Sequence, residues 1–162
     1  MKLLKLYHGS NIAVKEPRLL PNVRALDFGA GFYVTSSFDQ ARKWANLTAR
    51  RRGTGKPVIS VYEITKGKMK TLKILEFISP NEEWLRYVSA HRKNWQTDDK
   101  YDIVIGPVAN DNTMPVINLY LKGSYSEEEA VKRLLPQNLK DQYAFKSEEA
   151  IKILNLCEVI EL

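Results

Sequence analysis

Apolar residues change their spacing several times along this chain, and each change marks an expected element boundary. Residues 3–7, with Leu3, Leu4, Leu6 and Tyr7, read as a first strand that ends at His8-Gly9-Ser10. Residues 11–25 hold three turn-prone points, at Asn11, Pro17 and Pro21-Asn22, and read as a loop. Residues 31–35 read as a short aromatic strand. Ser37 and Gln40 then match a capping box, and Phe38, Ala41, Ala45 and Thr48 continue at helical spacing. That helix should run to about Arg50 and be stopped by Gly53 and Gly55. The β-branched residues 58–64 and the segment 72–77 predict two more strands. Ser79-Pro80-Asn81-Glu82 resembles a second capping box, with proline at the first helical position and Trp84, Leu85 and Val88 facing inward.

Residues 101–105 read as a strand ending at Gly106-Pro107, and residues 115–122 as a helix stopped by Gly123. Ser126 caps a further helix bounded by Pro136. A strand at 142–145, a helix at 147–154 and a last strand at 156–161 complete the pattern. Irregular alternation of strands and helices predicts an α+β fold, and the 162 residues suit a single domain spanning 1–162.

Composition narrows the class. With 44% hydrophobic and 27% charged residues the chain is neither disordered nor fibrous. A net charge of +6 draws anionic partners at long range but is too small to name one. The one cysteine, Cys157, lies in an apolar run and reads as a buried structural thiol with no metal-ligand cluster around it. The apolar start is too short for a signal peptide, and no stretch approaches the roughly 18 apolar residues of a membrane span. A cytoplasmic protein with no membrane or metal partner is the expectation.

Three segments stand out: Tyr7-His8-Gly9-Ser10, Phe28-Gly29-Ala30-Gly31-Phe32-Tyr33, and Asp141-Gln142-Tyr143-Ala144-Phe145. Each has an ordinary structural reading when taken singly. A histidine at a strand end is commonly structural. The Gly29-x-Gly31 step reads as a tight turn, and it lacks the third glycine and the following helix of a dinucleotide fingerprint. The run Arg50-Arg51-Arg52 suits a solvated helix C-terminus, with a pyrophosphate or nucleic-acid backbone as the other possibility. His91, beside Arg92 and Lys93, reads as a surface residue, and Trp84 and Trp95 as core or interface. Gly106 to Asp111 reads as a turn, with Asn110 and Asp111 as residues that can line a cleft.

Together, and in this order, the three segments resemble the ADP-ribosyltransferase superfamily in its His-Tyr-Glu branch, which also contains the poly(ADP-ribose) polymerases. His8-Gly9-Ser10 matches the branch's first-strand step. Phe28 to Tyr33, followed by capped Ser37, matches its glycine-tyrosine segment, and Trp44 stands where a second aromatic is common. Residues 101–111 further resemble a bacterial family of uncharacterised proteins in the same clan.

The resemblance implies a split β-sheet core with peripheral helices and NAD as co-substrate. It implies catalytic positions at His8, Tyr33 and Gln142, and dinucleotide contacts from His8, Gly9, Ser10, Gly31, Tyr33 and Trp44. The backbone of Gly9 would pair with the carboxamide, Tyr33 and Trp44 would sandwich the nicotinamide, and His8 would bind ribose hydroxyls. The implied activity is mono-ADP-ribosyl transfer to a protein or nucleic-acid acceptor, in a bacterial toxin or regulatory enzyme, with an antitoxin or immunity protein as a partner.

One position departs from the family: Gln142 stands where its catalytic glutamate is expected. A glutamine carbonyl accepts a hydroxyl hydrogen bond but has no charge and cannot act as a general base. Chain elongation is therefore disfavoured. Either the acceptor needs no base, or another carboxylate (Asp111, Asp102 or Glu148) supplies the charge, or the protein is a weak or inactive NAD- or ADP-ribose-binding module. An RNA 2′-phosphotransferase would need arginines flanking the histidine, where Tyr7 and Ser10 stand. A purely structural or interaction domain is the remaining class.

Overall fold

A computed structural model describes residues 2–19, 26–93 and 100–162. The fold is α+β, with two sheets and several helices. The first sheet has the order β1-β3-β7, from β1 (Leu3–Ser10), β3 (Val58–Thr65) and β7 (Asn155–Glu161). The second has the order β2-β6-β5-β4, from β2 (Phe32–Val34), β6 (Asp141–Phe145), β5 (Ile103–Pro107) and β4 (Ile74–Glu76). All pairings are antiparallel except β4 with β5. Among the described residues one bridge joins the sheets: Tyr7 N donates to Thr35 O at 2.8 Å and Thr35 N to Tyr7 O at 2.9 Å.

The two-residue period of the strands sorts their side chains into three apolar layers. Between the sheets, Leu6, Tyr62 and Ile64 pack with Phe32, Val34, Ile103, Ile105 and Phe145. On the far face of the second sheet, Val104 and Ala144 meet Phe28 and three helices: α2 (Glu82–Lys93), α3 (Met114–Leu121) and α4 (Glu127–Leu134). On the far face of the first, Ile59 and Val61 lie under Ala41 of α1 (Phe38–Arg52). A last single turn, α5 (Glu148–Ile151), places Ala150 and Ile151 in the layer between the sheets.

Local signals account for most boundaries. Ser37 Oγ accepts from Gln40 N at the start of α1, and Gly53 ends it in the left-handed region at φ +68°, its N–H bonded to Ala49 O. Ser126 and Ser147 cap α4 and α5 in the same manner.

Several expectations are corrected. The cap of α2 is Asn81, whose Oδ1 accepts from Trp84 N at 3.0 Å, rather than Ser79. The helix expected over 147–154 closes after one turn, because Ile153 N and Leu154 N bond three residues back, to Ala150 O and Ile151 O. A 3₁₀ segment at Lys66–Thr71 precedes a strand shorter than the expected 72–77. Cys157 is exposed, on a strand β7 that is exposed along most of its length. His91 is 2% exposed and takes its place in the stripe of Trp84, Leu85 and Val88. Pro21, Asn22 and Trp95 lie outside the described residues.

Candidate functional site

The sheets part immediately beyond the Tyr7–Thr35 bridge, and the expected site residues collect there. Tyr7 spends both backbone groups on Thr35, so they point away from β3. Backbone direction alternates along an antiparallel strand, so the N–H and C=O of Gly9 face the same way, onto the edge where the sheets separate. Gly9 is required for a different reason. A Cβ built on it would lie 1.9 Å from Ala41 O and 2.7 Å from Ala45 N, so α1 rests directly on the β1 backbone. Trp44, half-buried, stands between Ala41 and Ala45 in sequence and flanks that stripe. Ser10 is buried and its hydroxyl donates to Asn11 Oδ1 at 3.3 Å.

His8 emerges on the opposite face of β1 from Gly9, stacked on Phe32 with ring centroids 4.3 Å apart. Its Nδ1 lies 2.7 Å from Tyr33 O. A carbonyl can only accept, so Nδ1 carries the proton. Desolvation pushes the imidazole down to about 4, against the opposing effect of that hydrogen bond and with a smaller push from the Arg52 charge. The ring is neutral at pH 7, and its Nε2 is left as an acceptor.

This has a stability consequence. The unfolded chain takes up a proton below its ordinary value of 6.5 that the folded ring refuses until about 4. Stability should therefore be fully present above pH 6.5 and fall as the pH drops toward 4, by about 2–3 kcal/mol from this group. Urea midpoints of the parent and His8→Gln, compared at about pH 7.5 and pH 4.5, check this. The variant should lose that part of the slope, and equal slopes would refute the assignment.

Tyr33 is half-buried and its hydroxyl is spent on the preceding turn. It donates to Gly29 O at 2.7 Å and accepts from Phe28 N at 3.0 Å. Gly29 holds the positive φ of that turn, +84°, and a Cβ on Gly31 would crowd Phe145 O at 3.1 Å. Tyr33 pairs with Ala144 across β2 and β6, so Gln142, two residues from Ala144, emerges on the same face as Tyr33.

Gln142 is 3% exposed and its Nε2 donates to Asp27 Oδ2 at 2.8 Å. The carboxylate can only accept, which fixes the orientation of the amide. Oε1 makes no hydrogen bond among the described residues, yet it is not sealed from solvent. Asp27, 5% exposed, also accepts from Ala109 N at 3.0 Å and from Nε (3.0 Å) and Nη2 of Arg92.

The carboxylate beside Gln142 is thus none of the three expected. Asp102 accepts from Lys73 N, Asp111 is exposed in the turn before α3, and Glu148 is exposed in the first turn of α5. Asn110, read as a cleft residue, turns its Oδ1 onto Asn112 N and Thr113 N. Of the three arginines ending α1, Arg52 is held by Asn11 Oδ1 at 3.1 Å. Sequence reasoning missed Asp27 because Arg92, Ala109 and Gln142 lie 65, 82 and 115 residues from it, beyond any local pattern.

Fold and site together define an α+β domain whose two sheets part beside a buried carboxylate–amide–guanidinium cluster. The chain belongs to the family described as Protein of unknown function (DUF3990), whose model matches residues 4–156. Comparison with curated proteins and with solved structures gave no match. Among the described residues no helix is long and apolar enough to cross a membrane, and no group of three or more His, Cys, Asp or Glu is placed to hold a metal.

Proposed function

We propose that this protein is an NAD-dependent mono-ADP-ribosyltransferase with a split-sheet core of that superfamily's kind. The observation that carries the reading is the arrangement at the split. Tyr33 and Gln142 emerge on one face of the second sheet, the Gly9 backbone faces the edge where the sheets separate, and a neutral His8 bonds Tyr33 O from the other face of β1. These groups suit the parts of NAD in turn. A backbone donor–acceptor pair fits a carboxamide, an aromatic face fits the nicotinamide ring, and the acceptor Gln142 Oε1 fits a ribose hydroxyl, while His8, on the other face of β1, holds the Tyr33 backbone. Trp44 of α1 is the second aromatic that this reading assigns to the nicotinamide.

In the reaction the bond from ribose C1′ to the nicotinamide nitrogen breaks and its electron pair leaves with nicotinamide. An acceptor lone pair then forms the new bond to C1′, and the acceptor's proton goes to solvent. Orientation and stabilisation of the cationic ribosyl group are the levers this site offers. The acceptor is a protein or a nucleic acid, and an antitoxin or immunity protein is the expected partner of such a cytoplasmic toxin or regulatory enzyme.

Labelled NAD incubated with lysate should label a macromolecule and release nicotinamide, and Tyr33→Ala should abolish both. Absence of both transfer and NAD hydrolysis in the parent would sink the transferase reading. A second reading, an NAD- or ADP-ribose-binding module, is favoured by the lack of charge on Gln142. It predicts calorimetric NAD binding with no nicotinamide release over hours.

A further inference from the structure

We infer that Asp27 is a positioning residue for Gln142, holding the amide so that Oε1 faces a bound ribose and supplying, one hydrogen bond behind it, the negative charge that the amide lacks. The inference rests on the NAD reading above. Its basis is geometric. An isolated glutamine amide can present either end, and the wrong end would offer donors to the ribose. Here Oδ2 of Asp27 takes Gln142 Nε2 at 2.8 Å, and Oδ2 can only accept, so Oε1 is the end left over. A charged acceptor on the N–H side also polarises the amide and strengthens its oxygen as an acceptor.

Asp27 is itself over-determined. Arg92 of α2 holds Oδ1, and the backbone N–H of Ala109, just beyond β5, holds Oδ2. Two residues on, around Gly29, lie the Tyr33 hydroxyl on its carbonyl, and His91 and Lys146 Nζ, 2.8 and 3.4 Å from where its Cβ would stand. Arg92 is the cation bonded to Asp27 among the described residues, and it limits how much of that charge reaches the ribose.

The arrangement also changes what Gln142→Glu should do. Restoring a carboxylate would set two carboxyl groups a hydrogen bond apart, and the pair would share a proton rather than ionise together. The test compares nicotinamide release and NAD affinity across pH for the parent, Asp27→Asn and Gln142→Glu. Asp27→Asn has one oxygen for four N–H donors from three residues, so the amide is free to flip. Release should fall at least about tenfold while NAD affinity changes by less than about threefold. Gln142→Glu should give a pH profile with a new ionisation between about pH 5 and 8, absent from the parent.

Release unchanged in Asp27→Asn, or a Gln142→Glu profile that matches the parent, overturns the inference and leaves the NAD reading standing. No NAD binding by the parent overturns both. Should Asp27→Asn fail to fold, NMR of the parent reads the same point. Added ADP-ribose should shift the Gln142 side-chain amide signal, and an unmoved signal overturns the inference.

Discussion

Gly9→Ala should be a severely damaging change. Its Cβ would stand 1.9 Å from Ala41 O and 2.7 Å from Ala45 N, both backbone atoms of α1, so no rotamer change can make room. Either α1 lifts from the sheet and uncovers Ile59 and Val61, or β1 breaks its register with β3. Overpacking of this kind costs about 3 kcal/mol, which in a chain of this size lowers the melting temperature by about 6–12 °C. The matched control is Gly67→Ala, where an added Cβ meets nothing within 4 Å and which is not among the positive-φ glycines. Its melting temperature should stay within about 2 °C of the parent. A Gly9→Ala protein as stable as Gly67→Ala would mean that α1 does not rest on β1 as described. Because Gly9 also presents its backbone at the split, any surviving variant should bind NAD poorly.

Arg92→Ala should be the second large loss. Asp27 is 5% exposed and its carboxylate meets Arg92, Gln142 Nε2 and the Ala109 N–H. Removing the guanidinium leaves a buried charge held only by two neutral donors, a change that costs about 3–5 kcal/mol. The Arg92 side chain is 27% exposed, which favours the lower end, about 3 kcal/mol. Arg86→Ala removes the arginine of an ion pair with Glu127 whose side chains are 61% and 30% exposed, and it should leave the denaturation midpoint almost unchanged. Equilibrium urea unfolding of both variants separates the cases. Equal midpoints would show that Asp27 does not depend on its arginine.

The elements written in local chemistry were legible in the sequence. The Ser37 cap and the Gly53 stop bracket α1, and the β-branched run from Val58 marks β3. What was not legible depended on distant partners. Ser79 and Asn81 are both good caps, and nothing local separates them. The first turn of α2 is anchored by the Trp84 indole, which donates to Pro107 O from the end of β5. The His91 misreading had a local remedy: the positions 84, 88 and 91 continue one helical stripe, and that spacing outweighs the charge of Arg92 and Lys93 beside it. Cys157 departs in the other direction, since an apolar run is buried only if a layer covers it, and most of β7 is exposed.

For the candidate site, His8, Gly9, Tyr33 and Gln142 were singled out from sequence. Their division between two faces of β1 and β2 could not, because it follows from the register through the Tyr7–Thr35 bridge. Asp27 was invisible for the same reason.

The most direct test of the NAD pocket is a crystal structure of the parent protein with NAD or ADP-ribose bound. The account predicts a ligand at the split between β1 and β2, with a ribose hydroxyl on Gln142 Oε1, and with NAD the carboxamide on the Gly9 backbone. A dinucleotide bound away from the split, or a Gln142 amide turned with Nε2 toward the ligand, would contradict it.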